Sequence, residues 1–269
     1  MTSWAQELLD ELSEEQRSAV LATDGPVLIL AGAGSGKTRV ITYRISYLVA
    51  AGLAAPSEIL ALTFTNKAAR EMRERVVRLL GAHREVHPSS LWITTFHSFG
   101  ARILRIHAKE LGYDPGFVIY DEDDSARVVK KVFHDLNLLD GRVLPSGFLG
   151  WLDSNRADQL ELTGSLSEPS YLETRYREIH AAYRAHLKRQ NAMDFRDLLW
   201  RMLELFTRFP ETLASYQQRF RYVLVDEYQD TNRVQYRLVR HLAGPQGNLT
   251  VVGDEDQSIY SWRGADIQN

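Results

Sequence analysis

The 269-residue sequence contains no cysteine, which excludes disulfide bonds and thiolate metal sites. It also lacks an apolar run near the roughly 18 residues that span a bilayer, and the acidic side chains Glu7, Asp10 and Glu11 do not fit a secretory signal. An excess of positive charge is missing too, because the formal net charge is −3. We therefore expect a cytoplasmic protein without membrane association, in which any nucleic-acid binding uses a local face.

A glycine-rich loop follows a short apolar run at residues 27–30. Four apolar residues are too few for a helix and predict a buried strand that leads into the loop, with a helix after it. Glycines 32, 34 and 36 allow positive φ, so that backbone N–H groups can surround phosphate oxygens, and the dipole of the following helix favours the same anion. This pattern predicts a nucleotide-binding loop formed by Ala31, Gly32, Ala33, Gly34, Ser35, Gly36, Lys37 and Thr38.

Two side chains at the end of this loop carry the predicted chemistry. Lys37 can reach the β- and γ-phosphates, and the Thr38 hydroxyl can ligate Mg²⁺. The strict pattern has a glycine where this chain has Ala31. An incidental glycine-rich turn is therefore the alternative interpretation.

Four further apolar runs predict strands, at residues 59–62, 91–93, 222–225 and 249–252. Five short strands, four of them followed by a helix, indicate an α/β fold with a mainly parallel sheet. Ligands of such sheets bind beyond the carboxyl ends of the strands, where every polar motif of this chain is found. The interval between Ile93 and Tyr222 is expected to be helical and to form its own small lobe.

An acidic pair, Asp226 and Glu227, follows the predicted strand at 222–225. Beside a phosphate-binding loop, Asp226 is expected to hold Mg²⁺ and Glu227 to orient and deprotonate the attacking water. Two carboxylates next to a polyphosphate repel it without a metal, so this pair itself implies Mg²⁺. An acidic surface turn is the alternative.

The loop after the last predicted strand combines a glutamine with aromatic and basic side chains. Gln257 lies where an amide could sense a γ-phosphate. Tyr260, Trp262 and Arg263 follow almost directly, and rings interleaved with arginine suit stacking on unpaired bases. A tryptophan in the core is the alternative for Trp262 alone.

With these motifs, the chain resembles the UvrD/PcrA/Rep-like superfamily 1 DNA helicases. The resemblance covers nearly the whole length in family order, through the motifs at 12–16, 31–39, 63–69, 95–99, 193–199, 225–232 and 253–265. It implies a RecA-like P-loop NTPase core in two segments, 1–104 and 191–269, with an all-helical subdomain inserted at 105–190.

The resemblance also assigns residues that local patterns leave open. Gln16 completes a helix capping box with Ser13, and the family implies that it contacts adenine as well, with Arg39 near the nucleotide. Lys37, Glu227 and Gln257 would be catalytic, Gln257 coupling the γ-phosphate to the stacking loop. Single-stranded DNA would be contacted by Phe64, Asn66, His97, Tyr260, Trp262 and Arg263.

These assignments imply the N-terminal half of an ATP- and Mg²⁺-dependent 3′–5′ DNA helicase acting in repair or replication. Family members carry a second RecA-like domain with arginine fingers, for which this chain offers no candidate, and we expect a monomeric fragment that hydrolyses ATP poorly and does not unwind DNA. The alternatives are a non-catalytic module that binds single-stranded DNA or a partner and, less favoured, the helicase portion of a recombination nuclease.

Hydrolysis measured with and without oligo-dT separates these interpretations. We expect the chain alone to turn ATP over slowly in both conditions, because a missing transition-state arginine can cost about 10³ to 10⁵ in rate. Strong DNA-stimulated turnover would contradict both the module interpretation and the expected loss of activity.

Overall fold

The computed structural model describes residues 3–32, 34–81, 86–138, 143–154, 168–245 and 247–254. Within these ranges the chain divides into two compact units. The first contains residues 3–99 and 206–254, and the second contains Gly100–Leu205. The sequence-predicted insertion at 105–190 lies inside the second unit, which extends further at both ends.

The first unit is built around strands that alternate with helices. Its strands are β1 (Val27–Leu30), β2 (Ile59–Thr63), β3 (Trp92–Thr95), β6 (Tyr222–Val225) and β7 (Leu249–Gly253). Its helices are α1 (Ser3–Asp10), α2 (Glu14–Leu21), α3 (Lys37–Ala50), α4 (Asn66–Gly81), α10 (Pro210–Arg219) and α11 (Arg233–Ala243). Helices α5 (Phe96–Ile106) and α9 (Phe195–Arg208) cross the boundary between the units.

The five strands form one sheet in the order β1-β7-β6-β2-β3, and every pair in it is parallel. The predicted α/β fold with a mainly parallel sheet is thus confirmed. Because parallel strands all end at one edge, the residues after β1, β2, β3, β6 and β7 meet there. This edge holds the polar motifs.

One face of the sheet is covered by α3 and α4. Ile45, Leu48, Met72 and Val76 are fully buried against the strands, in a cluster that includes Leu224 of the central β6. Burial of this kind contributes about 1.5 to 3 kcal/mol per large side chain. The apolar core therefore fixes α3, and with it the start of the helix after the glycine-rich loop.

The prediction that β1 is a buried strand is wrong for half of its side chains. Leu28 is 63% exposed and Leu30 55% exposed, whereas Ile29 packs on the core. Since side chains alternate along a strand, Leu28 and Leu30 face the side away from Ile29. β1 is the end strand of the described sheet, and this side of it is left uncovered by the described residues.

The second unit has its own core. Helices α6 (Glu122–Asp135), α7 (Pro145–Leu152) and α8 (Tyr171–Arg189) bury aromatic and aliphatic side chains together, including Phe133, Phe148 and Tyr183. Asp121 caps α6 by accepting a hydrogen bond from the Asp124 N–H. Acidic side chains follow in the first turn of this helix, where they suit the helix dipole.

The prediction of an all-helical insertion is wrong in one respect. Strands β4 (Val118–Tyr120) and β5 (Ala192–Asp194) pair in parallel and form a two-stranded sheet. Three residues are too few to show a readable alternation, and the partners lie about 70 residues apart in the sequence. Their pairing is therefore a tertiary feature. Within the described ranges, no helix is both long and apolar enough to cross a bilayer.

Candidate functional site

The glycine-rich loop joins β1 to α3 at the carboxyl edge of the sheet. Its first residue, Ala31, donates its N–H to the Gly253 carbonyl at the end of β7. Gly34 and Gly36 have left-handed backbones with φ of +76° and +91°, as predicted. Gly32 does not. The Ser35 N–H and hydroxyl both donate to the Gly32 carbonyl.

Gly36 also leaves room for the Gln16 side chain. A Cβ atom at this position would lie 2.9 Å from Nε2 of Gln16 and would push that side chain away. By contrast, a Cβ atom at Gly32 or Gly34 would meet nothing within 4 Å. Among the described residues, the loop thus contacts α2 at Gly36 and has space at Gly32 and Gly34, while Ala33 lies outside the described residues.

Lys37, the first residue of α3, has a buried side chain that carries a positive charge. Its Nζ donates to the Ala31 carbonyl at 3.1 Å and to Oδ2 of Asp254 at 2.9 Å. Both members of this ion pair are less than 10% exposed. Thr38, the next residue, is half-buried.

Asp226 is the residue directly after β6. Its N–H donates to the Leu62 carbonyl of β2, and its Oδ1 accepts the Glu227 N–H at 3.0 Å. Burial and, second, the Glu227 charge raise the pKa of Asp226 to about 6, against the opposing effects of that hydrogen bond and of Lys37. The buried lysine and the buried carboxylate therefore lie close enough to interact.

Glu227 has a left-handed backbone, with φ of +52°, which costs a non-glycine residue about 1 to 2 kcal/mol. Its Oε2 accepts the Nε2 donor of Gln229 at 2.6 Å. Gln229 in turn accepts the Asp254 N–H at 3.1 Å. A chain of polar contacts thus runs from Glu227 through Gln229 and Asp254 to Lys37.

Sequence reasoning did not assign functional roles to Gln229 or Asp254. Gln229 belongs to the motif at 225–232 and lies in the short 3₁₀ turn Tyr228–Asp230, and Asp254 belongs to the motif at 253–265 and follows β7 directly. The signal that could have identified them as site residues is their position just past the ends of two adjacent parallel strands.

Gln16 has the predicted capping role, and its side chain also reaches the glycine-rich loop. Its N–H and Oε1 complete the capping box with Ser13 at the start of α2, and its Nε2 donates to the Ser35 carbonyl at 3.1 Å. Arg39 is exposed on the first turn of α3, where it donates to the Glu11 carbonyl and stacks over the Tyr43 ring. Both residues thus connect the glycine-rich loop region to the segment around α2.

A second group of predicted residues follows the neighbouring strands β2 and β3. Phe64 is half-buried, with its ring 5.6 Å from that of Phe96. Asn66 is exposed, and its Oδ1 accepts the Ser98 hydroxyl at 3.4 Å. His97 is half-buried in the first turn of α5. Four further predicted residues lie outside the described residues, namely Gln257, Tyr260, Trp262 and Arg263.

Comparison with known proteins decides the family. Residues 12–269 match the family described as the UvrD/REP helicase N-terminal domain. The chain belongs to this family. The predicted resemblance to UvrD/PcrA-like helicases is thereby confirmed.

Among the relatives of this UvrD/REP helicase N-terminal domain, an ATP-dependent DNA helicase PcrA of Staphylococcus aureus is 47% identical over 264 residues, and one of Staphylococcus epidermidis is 46% identical. Each match covers 97% of this chain and 36% of the relative. The chain therefore spans about a third of the length of these relatives.

The buried charge of Asp226 predicts a pH-dependent cost to the free energy of unfolding. Because its pKa rises from 3.8 to about 6 on folding, the folded protein binds the proton more tightly than the unfolded chain, and ionisation costs stability as pH rises through this window. The shift corresponds to about 3 kcal/mol. We expect Asp226→Asn to increase the free energy of unfolding by up to about 3 kcal/mol above pH 6, and the increase to shrink towards pH 4.

Chemical denaturation at several pH values measures this effect. Asp24, exposed and outside helices and strands, provides a matched control, since Asp24→Asn should change stability by less than about 0.5 kcal/mol at every pH. An Asp226→Asn variant with the same stability as the parent protein at pH 7.5 would contradict the assigned cost of this buried charge.

Proposed function

We propose that this chain binds Mg²⁺ and a nucleoside triphosphate, preferentially ATP, at the carboxyl edge of its sheet, and single-stranded DNA beside it. In this proposal it supplies the ATP-binding part of a 3′–5′ DNA helicase that serves repair or replication. The relatives are bacterial DNA helicases by name, so we place this function in the cytoplasm. The direction of translocation rests on the family resemblance.

One observation carries the nucleotide site. The buried Lys37 pairs with Asp254 and interacts with the buried Asp226, next to a glycine-rich loop in which the described residues leave space at Gly32 and Gly34. A buried cation suits phosphate oxygens, a carboxylate and a hydroxyl are oxygen ligands of the kind Mg²⁺ prefers, and α3 begins at Lys37 with its positive dipole end. The residues present therefore fit a magnesium nucleotide.

In the proposed roles, Lys37 binds the β- and γ-phosphates while Thr38 and Asp226 hold Mg²⁺. Held by these residues, Mg²⁺ would supply positive charge to offset the charge on the phosphates. Glu227 orients the attacking water and accepts its proton. The hydrogen bond from Gln229 fixes the orientation of the Glu227 carboxylate. Gln257 lies outside the described residues and keeps its predicted role as a sensor of the γ-phosphate.

Gln16 is proposed to read the adenine base, with Arg39 close by. A primary amide can donate to and accept from the edge of a purine ring. Its Nε2 already lies at the loop, hydrogen-bonded to the Ser35 carbonyl. The Oε1 and Nε2 atoms are thus at the border of the proposed phosphate site.

Removal of the Lys37 charge tests the nucleotide site. We expect Lys37→Ala to weaken binding of Mg-ATP about 10- to 100-fold, because a charge-assisted hydrogen bond is lost. Isothermal titration calorimetry measures the dissociation constant, and thermal unfolding verifies the fold. Lys67→Ala is the control, because Lys67 is exposed on α4. Equal affinity in Lys37→Ala and Lys67→Ala would exclude the assigned site.

The single-stranded DNA track is proposed to run along the same edge of the sheet. Phe64 and His97 offer partly exposed rings for bases, and Asn66 offers an exposed polar side chain. Tyr260, Trp262 and Arg263 keep their predicted stacking roles, although they lie outside the described residues. Each stacked base contributes about 1 to 3 kcal/mol.

Loss of the Phe64 ring tests this track. We expect Phe64→Ala to weaken binding of an oligo-dT about 5- to 150-fold, as measured by fluorescence anisotropy. Tyr171→Ala is the matched control, because Tyr171 is an exposed aromatic residue on α8, in the other unit. If both variants bound oligo-dT like the parent protein, Phe64 would not belong to the track.

A further inference from the structure

Helix α2, which carries Gln16, has little apolar packing of its own. It has eight residues, and Val20 is the one side chain it buries fully. Helices this short are marginal in water and depend on tertiary contacts. Polar contacts therefore add to the packing of Val20 in holding α2, and with it Gln16, beside the glycine-rich loop.

The strongest of these contacts come from Arg44, in the middle of α3. Its side chain is 1% exposed. Its guanidinium donates to the backbone carbonyls of Ala19 at 2.7 Å, Val20 at 3.3 Å and Ala22 at 2.6 Å. These are carbonyls at the carboxyl end of α2, which carry the negative end of the helix dipole.

Holding α2 with Arg44 costs free energy, because a charged side chain is removed from water. Burial lowers its pKa to about 10, so it stays charged at neutral pH, and no carboxylate of the described residues forms an ion pair with it. Its buried Nε also has no hydrogen-bond partner in the described structure. An apolar side chain would bury at lower cost, which argues that the position of α2 matters for function.

Helix α3 does not need Arg44 for its own position, because Ile41, Ile45 and Leu48 pack it on the sheet. Arg44 therefore transmits the fixed position of α3 to α2. At the other end of α2, Gln16 contacts the Ser35 carbonyl and lies against Gly36. The positions of the glycine-rich loop and of Gln16 thus both depend on α3.

We infer that Arg44 is a positioning residue for base recognition: it holds α2 so that Gln16 can distinguish adenine from other bases. The inference rests on the proposed role of Gln16. The inference divides nucleotide affinity into phosphate binding and base recognition. In the proposed site, the phosphates contact the glycine-rich loop and α3 directly, whereas Gln16 on α2 reads the base. A change at Arg44 should alter base preference and leave phosphate binding intact.

The experiment compares dissociation constants for ATP, GTP and inorganic tripolyphosphate, each with Mg²⁺, by calorimetry on the whole chain. The variants are Arg44→Lys, Gln16→Ala and Arg105→Lys. Arg105 is the matched control, because its guanidinium also donates to two backbone carbonyls, those of Pro115 and Phe117, in the other unit. The readout is the ratio of GTP to ATP dissociation constants.

We expect Gln16→Ala and Arg44→Lys each to lower this ratio about fivefold or more, the equivalent of one lost hydrogen bond. Tripolyphosphate affinity should stay within about twofold, and Arg105→Lys should match the parent protein. A merely structural role of Arg44 would weaken all three ligands together and leave the ratio unchanged, which would overturn the inference.

The failure modes can be told apart. If Gln16→Ala lowers the ratio and Arg44→Lys does not, the Arg44 inference is wrong and the proposed role of Gln16 stands. If Gln16→Ala leaves the ratio unchanged, both fail, while the phosphate site is still judged by Lys37→Ala. Should Arg44→Lys not fold, Val20→Ala loosens the same helix without touching the guanidinium. It must lower the ratio too, and an unchanged ratio there overturns the inference.

Discussion

The buried charge of Lys37 is the interaction on which the candidate site depends. A buried ammonium group is stable only with close partners, and here they come from the ends of two adjacent strands, Ala31 after β1 and Asp254 after β7. Asp226, from the third strand of the same edge, interacts with it as well. The low dielectric of this setting strengthens each of these interactions. The parallel sheet thus concentrates opposite charges at one point.

Two kinds of force hold the first unit together, and they are separated in space. Apolar packing of α3 and α4 fixes the sheet and the start of α3. Hydrogen bonds hold the parts around the proposed ligand: Gln229 to Glu227 and Asp254, Gln16 to Ser35, and Arg44 to the end of α2. Polar contacts of this kind can be exchanged for contacts with a ligand, whereas the core cannot be rearranged at similar cost. The rigid apolar core therefore positions the polar side chains whose contacts can change.

The polar network also connects residues to which the sequence motifs assigned no role. Glu227 has a backbone conformation that is costly for a residue with a side chain. Such a conformation persists only when neighbouring contacts stabilise it, and Gln229 supplies one of them. The same glutamine accepts the N–H of Asp254, the counter-ion of Lys37. The two halves of the proposed catalytic apparatus are thus in contact through side chains that have no direct role in chemistry.

What the sequence determined by itself follows from local rules. Runs such as 59–62 and 222–225 have the length and branching of buried strands, the glycines at 34 and 36 require left-handed backbone, and Ser13 with Gln16 forms a capping box, since each depends on neighbours within a few residues. Tertiary structure alone decided the pairing of β4 with β5, the exposure of Leu28, and the approach of Gln229 and Asp254. It also placed Arg44 against the end of α2. These features join residues far apart in the chain, and their free energy comes from contacts that form only when the strands and helices have packed.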